Sequence, residues 1–294
     1  GEWGGAVLLA VENAPHGKRA WYGMFPQLGA PIGFLFSGGS FLALSEWLTN
    51  DQFLTFGWRI PFLASSALVA VGLYIRLTIT ETPVFQQAAM REERAKVPML
   101  TVIRDHPRTL VLGTLASIET FVLFYLMTVF SLSWGTSVLG YSRNTFLLIQ
   151  LLGVVFFALT IPLSALIAER AGRRTTLIWV TVAIGVFGLV LAPLLTSGLV
   201  GATIAMVVGL TLMGRTYGPL GTTLSELFPT RVRYTGSSLT FNLAGIFGAS
   251  LAPYIATWLA QNYGLQFVGY YVVGTSLLTL VGLLALSETG NKAL

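Results

Sequence analysis

The sequence of 294 residues contains no cysteine. That excludes a disulfide framework and any thiolate metal site. Charge is scarce too: Asp, Glu, Lys and Arg make up 10% of the chain, against about 25% in soluble domains. So thin a cover of charge cannot clothe a surface that faces water. The short signatures of catalysis are also missing. There is no H-E-x-x-H, no G-x-S-x-G, no Gly-rich phosphate loop and no cluster of ligands at metal spacing. Neither an enzyme nor a bound cofactor is expected. His16 and His106 fall in loops and read as solvated.

What the chain does have is apolar length. Hydrophobic residues form 54% of it, in runs long enough to cross a hydrocarbon core of about 30 Å. The runs lack the alternation of barrel strands, so they read as helices of an all-α membrane protein. Nine spans are expected. They are Gly1 to about Asn13, Tyr22 to Trp47, Ile60 to Ile79, 109–130, 144–168, 175–195, 199–225, 236–260 and 267–287. One long polar stretch, Thr80 to Arg108, interrupts them.

The basic residues are sorted by side. Lys18, Arg19, Arg76, Arg91, Arg94, Lys96, Arg104, Arg108, Arg170, Arg173, Arg174, Arg231, Arg233 and Lys292 all fall in one set of loops, 14 of the 17. The alternate loops hold only Arg59 and Arg143. By the positive-inside rule, the long linker and the C-terminus are cytoplasmic. The net charge of +5 is therefore a topology signal and points to no nucleic-acid partner.

A repeat adds organisation. Glu12-x-x-Pro15-x-x-x-Arg19 recurs as Glu226-x-x-Pro229-x-x-x-Arg233, 214 residues later. Glu81-Thr82 after the third span recurs as Glu288-Thr289 after the last, 207 residues later. Both copies fall on the same side, so the halves are parallel repeats, the plan of the major facilitator architecture. Residues 1–80 are read as the end of one half, 81–108 as a central cytoplasmic loop and 109–294 as a six-helix half.

Gly1-Glu2-Trp3-Gly4-Gly5-Ala6, Gly57-Trp58-Arg59-Ile60-Pro61-Phe62, Glu81-Thr82-Pro83-Val84-Phe85 and Glu226 to Tyr234 resemble the metabolite:proton symporter family of the major facilitator superfamily. That family includes bacterial inner-membrane carriers for shikimate, α-ketoglutarate, citrate and proline/betaine. The resemblance implies a major facilitator fold, N-terminally truncated, running from helix 4 to helix 12 of twelve. It implies proton-coupled symport by alternating access in the cell inner membrane, with the proton as coupling ion. The implied partners are the lipid bilayer and a small anionic or zwitterionic substrate, and the implied state is a monomer. The rival readings are a non-transporting remnant and a channel.

Ionisable groups inside a bilayer are costly and commonly functional. Glu119 and Arg215 stand within spans. One reading has Arg215 grip a substrate carboxylate while Glu119 exchanges a proton. A second makes them an ion pair that locks two helices together, and a third lets Arg215 snorkel to the interface. Glu2, Gln27, Tyr217 and Asn242 are further polar candidates, as suited to helix–helix hydrogen bonds as to substrate.

The run Glu169-Arg170-Ala171-Gly172-Arg173-Arg174 resembles the superfamily's signature loop and suggests a conformational latch. Glu169 is expected at the N-terminus of the span starting near Gly236, where free N–H groups favour an anion. Arg170, Arg173 or Arg231 is expected to pair with Glu226, Arg233 belonging to the same cluster. Glu12 is expected to pair with Lys18 or Arg19. The plainer alternative is that these residues only mark the inside. Gly29 and Gly33, and likewise Gly245 and Gly248, are spaced for close helix packing.

Overall fold

The computed structural model describes residues 2–78 and 98–289, without the side chains of Glu2 and Arg76. The motif at Glu81 to Phe85 and most of the expected linker lie outside the described residues.

The chain is a bundle of long helices, with no strand among the described residues. α1 is Glu2–Glu12 and α2 is Arg19–Trp47, which carries Pro26 and Pro31 inside it. The third span starts earlier than expected. Thr49 and Gln52 form a capping box, Gln52 N donating to Thr49 Oγ1 at 3.3 Å and Thr49 N to Gln52 Oε1 at 3.1 Å. Those two bonds satisfy free amides at a helix start. A π-helical turn, Phe53–Gly57, follows, and α3 runs over Arg59–Thr78.

Within the expected loop lies a helix, α4, Pro98–Asp105. Proline suits a first helical position, and Val102 gives the helix a buried anchor. α5, Pro107–Tyr125, continues through the π-helical turn Leu126–Phe130 into Ser131–Ser137, longer than its expected end at 130. Buried Gln150 donates to the carbonyls of Met127 at 3.0 Å and Thr128 at 2.5 Å. These bonds occupy carbonyls in the wide turn.

α6 is Arg143–Ala171, capped by Ser142, which accepts from Thr145 N at 3.1 Å. α7 is Arg173–Thr196, α8 Gly198–Glu226, α9 Arg233–Gly245, α10 Ala252–Asn262 and α11 Gln266–Ala285. A π-helical turn, Ile246–Ser250, joins α9 and α10 into one long element. Among the described residues, eight segments are long and apolar enough to cross a membrane, and Trp3–Glu12 is a shorter apolar helix.

Packing rests on small residues, of which only some are those expected. A side chain at Gly218 would stand 2.6 Å from the carbonyl of Ile161, and one at Gly153 would stand 2.9 Å from that of Met206. Those glycines let α6 and α8 touch along their backbones. Gly29 and Gly33 instead have nothing within 4 Å. Spacing marks a small-residue stripe but leaves open what lies against it. Gly248 does meet a neighbour, the carbonyl of Ile118 at 2.7 Å. Phe130, Phe146, Phe157, Ile184 and Met206 fill the core between α5, α6, α7 and α8.

Candidate functional site

In each copy of the repeat, a glutamate closes one helix and an arginine opens the next. Glu12 ends α1 and Arg19 starts α2; Glu226 ends α8 and Arg233 starts α9. The two copies meet and exchange partners. Arg233 Nη1 lies 3.4 Å from Glu12 Oε1, and Arg19 Nη1 lies 3.9 Å from Glu226 Oε1. Such crossed pairing is the pattern of a two-fold interface, in which i meets j and j meets i.

Arg173 extends the network. Its Nη2 lies 3.2 Å from Glu169 Oε2 and its Nε 3.5 Å from Glu226 Oε2. Glu169 Oε1 in turn accepts from the amides of Ala20 and Trp21, the latter at 3.2 Å. Those amides belong to the first turn of α2, where N–H groups have no partner in the helix and the dipole favours an anion. Three acids and three arginines therefore join α1 and α2 to α6, α7, α8 and α9. The side chains of Arg173 and Arg233 are both only 4% exposed.

A second carboxylate caps α7. Glu288 Oε1 accepts from Arg173 N at 3.0 Å and Oε2 from Arg174 N at 3.1 Å. Arg174 donates to the carbonyls of Leu283 at 2.7 Å and Leu284 at 3.0 Å, at the end of α11. Gly172 makes the joint possible. Its φ of +93° is closed to most side chains, and a Cβ there would stand 2.5 Å from Glu288 Oε2.

Several expectations are thereby corrected. Glu169 caps α2, not the helix that follows Arg233, because α6 lies alongside α2 at this end. Arg170 is exposed and makes no ion pair among the described residues. Arg231 pairs with Asp105 at 3.6 Å on the surface and not with Glu226. Of the three expected partners of Glu226, only Arg173 reaches it; Arg19 is the one that was missed. The signal for Arg19 and for the Glu12–Arg233 pair was the repeat itself, read as two copies that touch.

The span residues separate. Glu119 is 1% exposed on α5. Ser276 Oγ of α11 donates to its Oε1, Glu119 N donates to Thr279 Oγ1 at 3.3 Å, and Thr279 Oγ1 donates to Leu115 O at 2.8 Å. Thr181 of α7 also interacts with the carboxyl. The Oε2 atom makes no hydrogen bond. Glu119 thus sits among hydroxyl groups of α7 and α11.

Arg215 does not pair with it. Its side chain is exposed, with no ion pair among the described residues. It shares a face of α8 with Ile204 and Val208, 45% and 37% exposed, at helical spacing.

Gln27 is fully buried where α1, α2 and α8 meet. Its Oε1 accepts from Trp3 Nε1 at 2.7 Å and its Nε2 donates to Tyr217 O at 3.0 Å. The Tyr217 ring lies 5.8 Å from Phe157, and Trp3 stacks on Phe241 at 3.6 Å. Asn242 is exposed on α9 and bonds its own helix at Ser238 O. The Glu2 side chain lies outside the described residues. Gln27, Trp3 and Tyr217 form a polar knot in an aromatic seam between the helices before and after the linker.

Comparison with known proteins bears on the family and the fold. The sequence pattern of the Major Facilitator Superfamily matches residues 17–249. The inner membrane metabolite transport protein YhjE of Escherichia coli is 48% identical over all of this chain and 68% of its own length. The shikimate transporter of the same bacterium is 31% identical over 98% of this chain and 67% of its own. A solved structure of the proton:xylose symporter XylE, bound to 6-bromo-6-deoxy-D-glucose, superposes with a TM-score of 0.75 at 17% identity. That match covers 97% of this chain and 67% of the other, and it shows the shared fold. The chain is thus a multi-pass membrane protein of a transporter fold, not an enzyme. It belongs to the major facilitator superfamily and, within it, to the family of metabolite transport proteins that includes these two relatives.

Proposed function

We propose that this protein carries a small organic acid or zwitterion, together with a proton, across the bacterial inner membrane by alternating access. In this reading the crossed ionic network is the lock on the cytoplasmic side. The observation that carries it is the reciprocal pairing of Glu12 with Arg233 and Arg19 with Glu226. These contacts join helices before the linker to helices after it, so they form only when that end is closed. Buried ion pairs suit such a lock. Their desolvation cost nearly offsets their attraction, and water can replace them when the helices part. The names of the relatives support the substrate class: shikimate is an acid, and a proline/betaine transporter of Escherichia coli is 28% identical over all of this chain.

The substrate seat is assigned to the seam at Gln27. A carboxylate arriving there takes over the donors of Trp3 and Gln27, now spent on internal bonds. Glu119 carries the proton, because its Oε2 is buried and open to protonation. Arg215 reaches toward the interface from its exposed face instead of gripping substrate. Glu119→Gln tests the coupling in proteoliposomes. The expected result is loss of accumulation driven by a proton gradient, with exchange of labelled substrate retained. Unchanged accumulation removes Glu119 from the coupling role.

A further inference from the structure

α4 has two unlike faces. Val102 is fully buried in a cluster with Leu110, Phe228 and Val232. Asp105 reaches Arg231, and the His106 ring meets Phe228 edge-on at 6.4 Å. These contacts tie α4 to the turn Thr230–Val232, whose next residue is Arg233 of the lock.

The other face is apolar and bare. Met99, Leu100 and Ile103, adjacent at positions i, i+1 and i+4, are 55%, 59% and 47% exposed. Arg104 and Arg108 flank this face, both exposed and without an ion pair among the described residues. The sequence places Arg91, Arg94 and Lys96 just upstream. The helix runs through His106 directly into the membrane span that begins at Pro107, so it stands at the membrane boundary. A short helix with large apolar side chains on one side and arginines beside them is built for that boundary. Basic residues at a membrane surface draw anionic headgroups.

We infer that α4 is an interfacial helix. It seats Met99, Leu100 and Ile103 at the acyl boundary and Arg104 and Arg108 among anionic lipid headgroups, bracing the turn that presents Arg233. This inference rests on the membrane placement of the chain and not on the proton-symport reading.

The absence of cysteine makes the test clean. Leu100→Cys and Asp105→Cys each accept a single spin label at an exposed position. The second gives up only the half-exposed pair with Arg231, which contributes about 0–1 kcal/mol, and leaves the buried Val102 anchor of α4 in place. Accessibility to oxygen and to a water-soluble nickel chelate is measured in phosphatidylcholine vesicles with and without phosphatidylglycerol. The expected result is an oxygen-accessible label at Leu100 and a chelate-accessible one at Asp105, with the contrast rising when phosphatidylglycerol is present. Arg104→Gln with Arg108→Gln should remove that rise, each arginine being worth roughly fivefold in interfacial partitioning. Three results overturn the inference. One is a Leu100 label as open to the chelate as the Asp105 label. The second is a contrast indifferent to phosphatidylglycerol. The third is a Leu100 label shielded from both reagents, which marks a covering protein segment.

Discussion

Glu226 and Glu119 are the same residue type, both buried at helix–helix contacts, yet they live in opposite surroundings. Glu226 faces two arginines, Arg19 and Arg173. Glu119 faces hydroxyl groups and backbone. The first site is electrostatic, shared by helices on either side of the linker, and dissolves if those helices part. The second lies wholly within α5, α7 and α11, and no cation is needed to hold it. A buried carboxyl with cations around it is suited to locking; one among hydroxyls is suited to taking up a proton without stranding a counter-charge.

The sharpest way to break this contrast is Arg173→Ala. It leaves buried Glu226 and partly exposed Glu169 with fewer partners, and losing one member of a buried ion pair costs about 3–5 kcal/mol. A large fall in thermal stability is expected in the closed state, with cross-linking across this end of the bundle reduced. Little change would mean that water already solvates the network. Next in size is the crossed pair. Arg233→Glu should destabilise strongly, and adding Glu12→Arg should recover part of the loss. The double-mutant cycle is expected to return about 1–3 kcal/mol of coupling; a coupling near zero would deny that the two copies of the repeat hold each other.

Glu119→Gln should cost less than about 1.5 kcal/mol, since the amide keeps the shape and can still accept from Ser276. A loss as large as that of Arg173→Ala would show that the carboxyl is itself a structural charge. The smallest effect belongs to Arg231→Ala. Its pair with Asp105 is about half exposed on each side, and such pairs contribute about 0–1 kcal/mol. A larger drop would mean that α4 braces the turn mainly through this pair and not through the buried contacts of Val102.

The spans were legible because each signal is local. An apolar run of sufficient length crosses a bilayer wherever it occurs, so α2 and α5 through α11 could be read without knowing their neighbours. Boundaries slipped where a cap or a wide turn intervened. Thr49 and Gln52 start the third span earlier than Ile60, and the turn at Leu126–Phe130 carries α5 onward to Ser137. The lock was legible in its members and only partly in its pairings. Glu169, Arg173, Glu226 and Arg233 were all candidates, and Arg173 was among the partners expected for Glu226. Glu12 was expected to pair with Lys18 or Arg19 and also meets Arg233.

By itself the sequence determined the class of the molecule, the sorting of its basic residues to one end and the presence of two related copies. Composition, charge placement and spacing are properties of the chain, and the bilayer acts on them without reference to tertiary contacts. Only the tertiary structure decided which glutamate meets which arginine. It decided that Glu169 caps α2, that Arg215 stands apart from Glu119, and that Gly218 carries a close contact while Gly33 carries none. Those outcomes depend on how each helix is rotated about its axis and on which neighbour it faces. That rotation is set by the packing of whole faces, not by the residues at the contact alone.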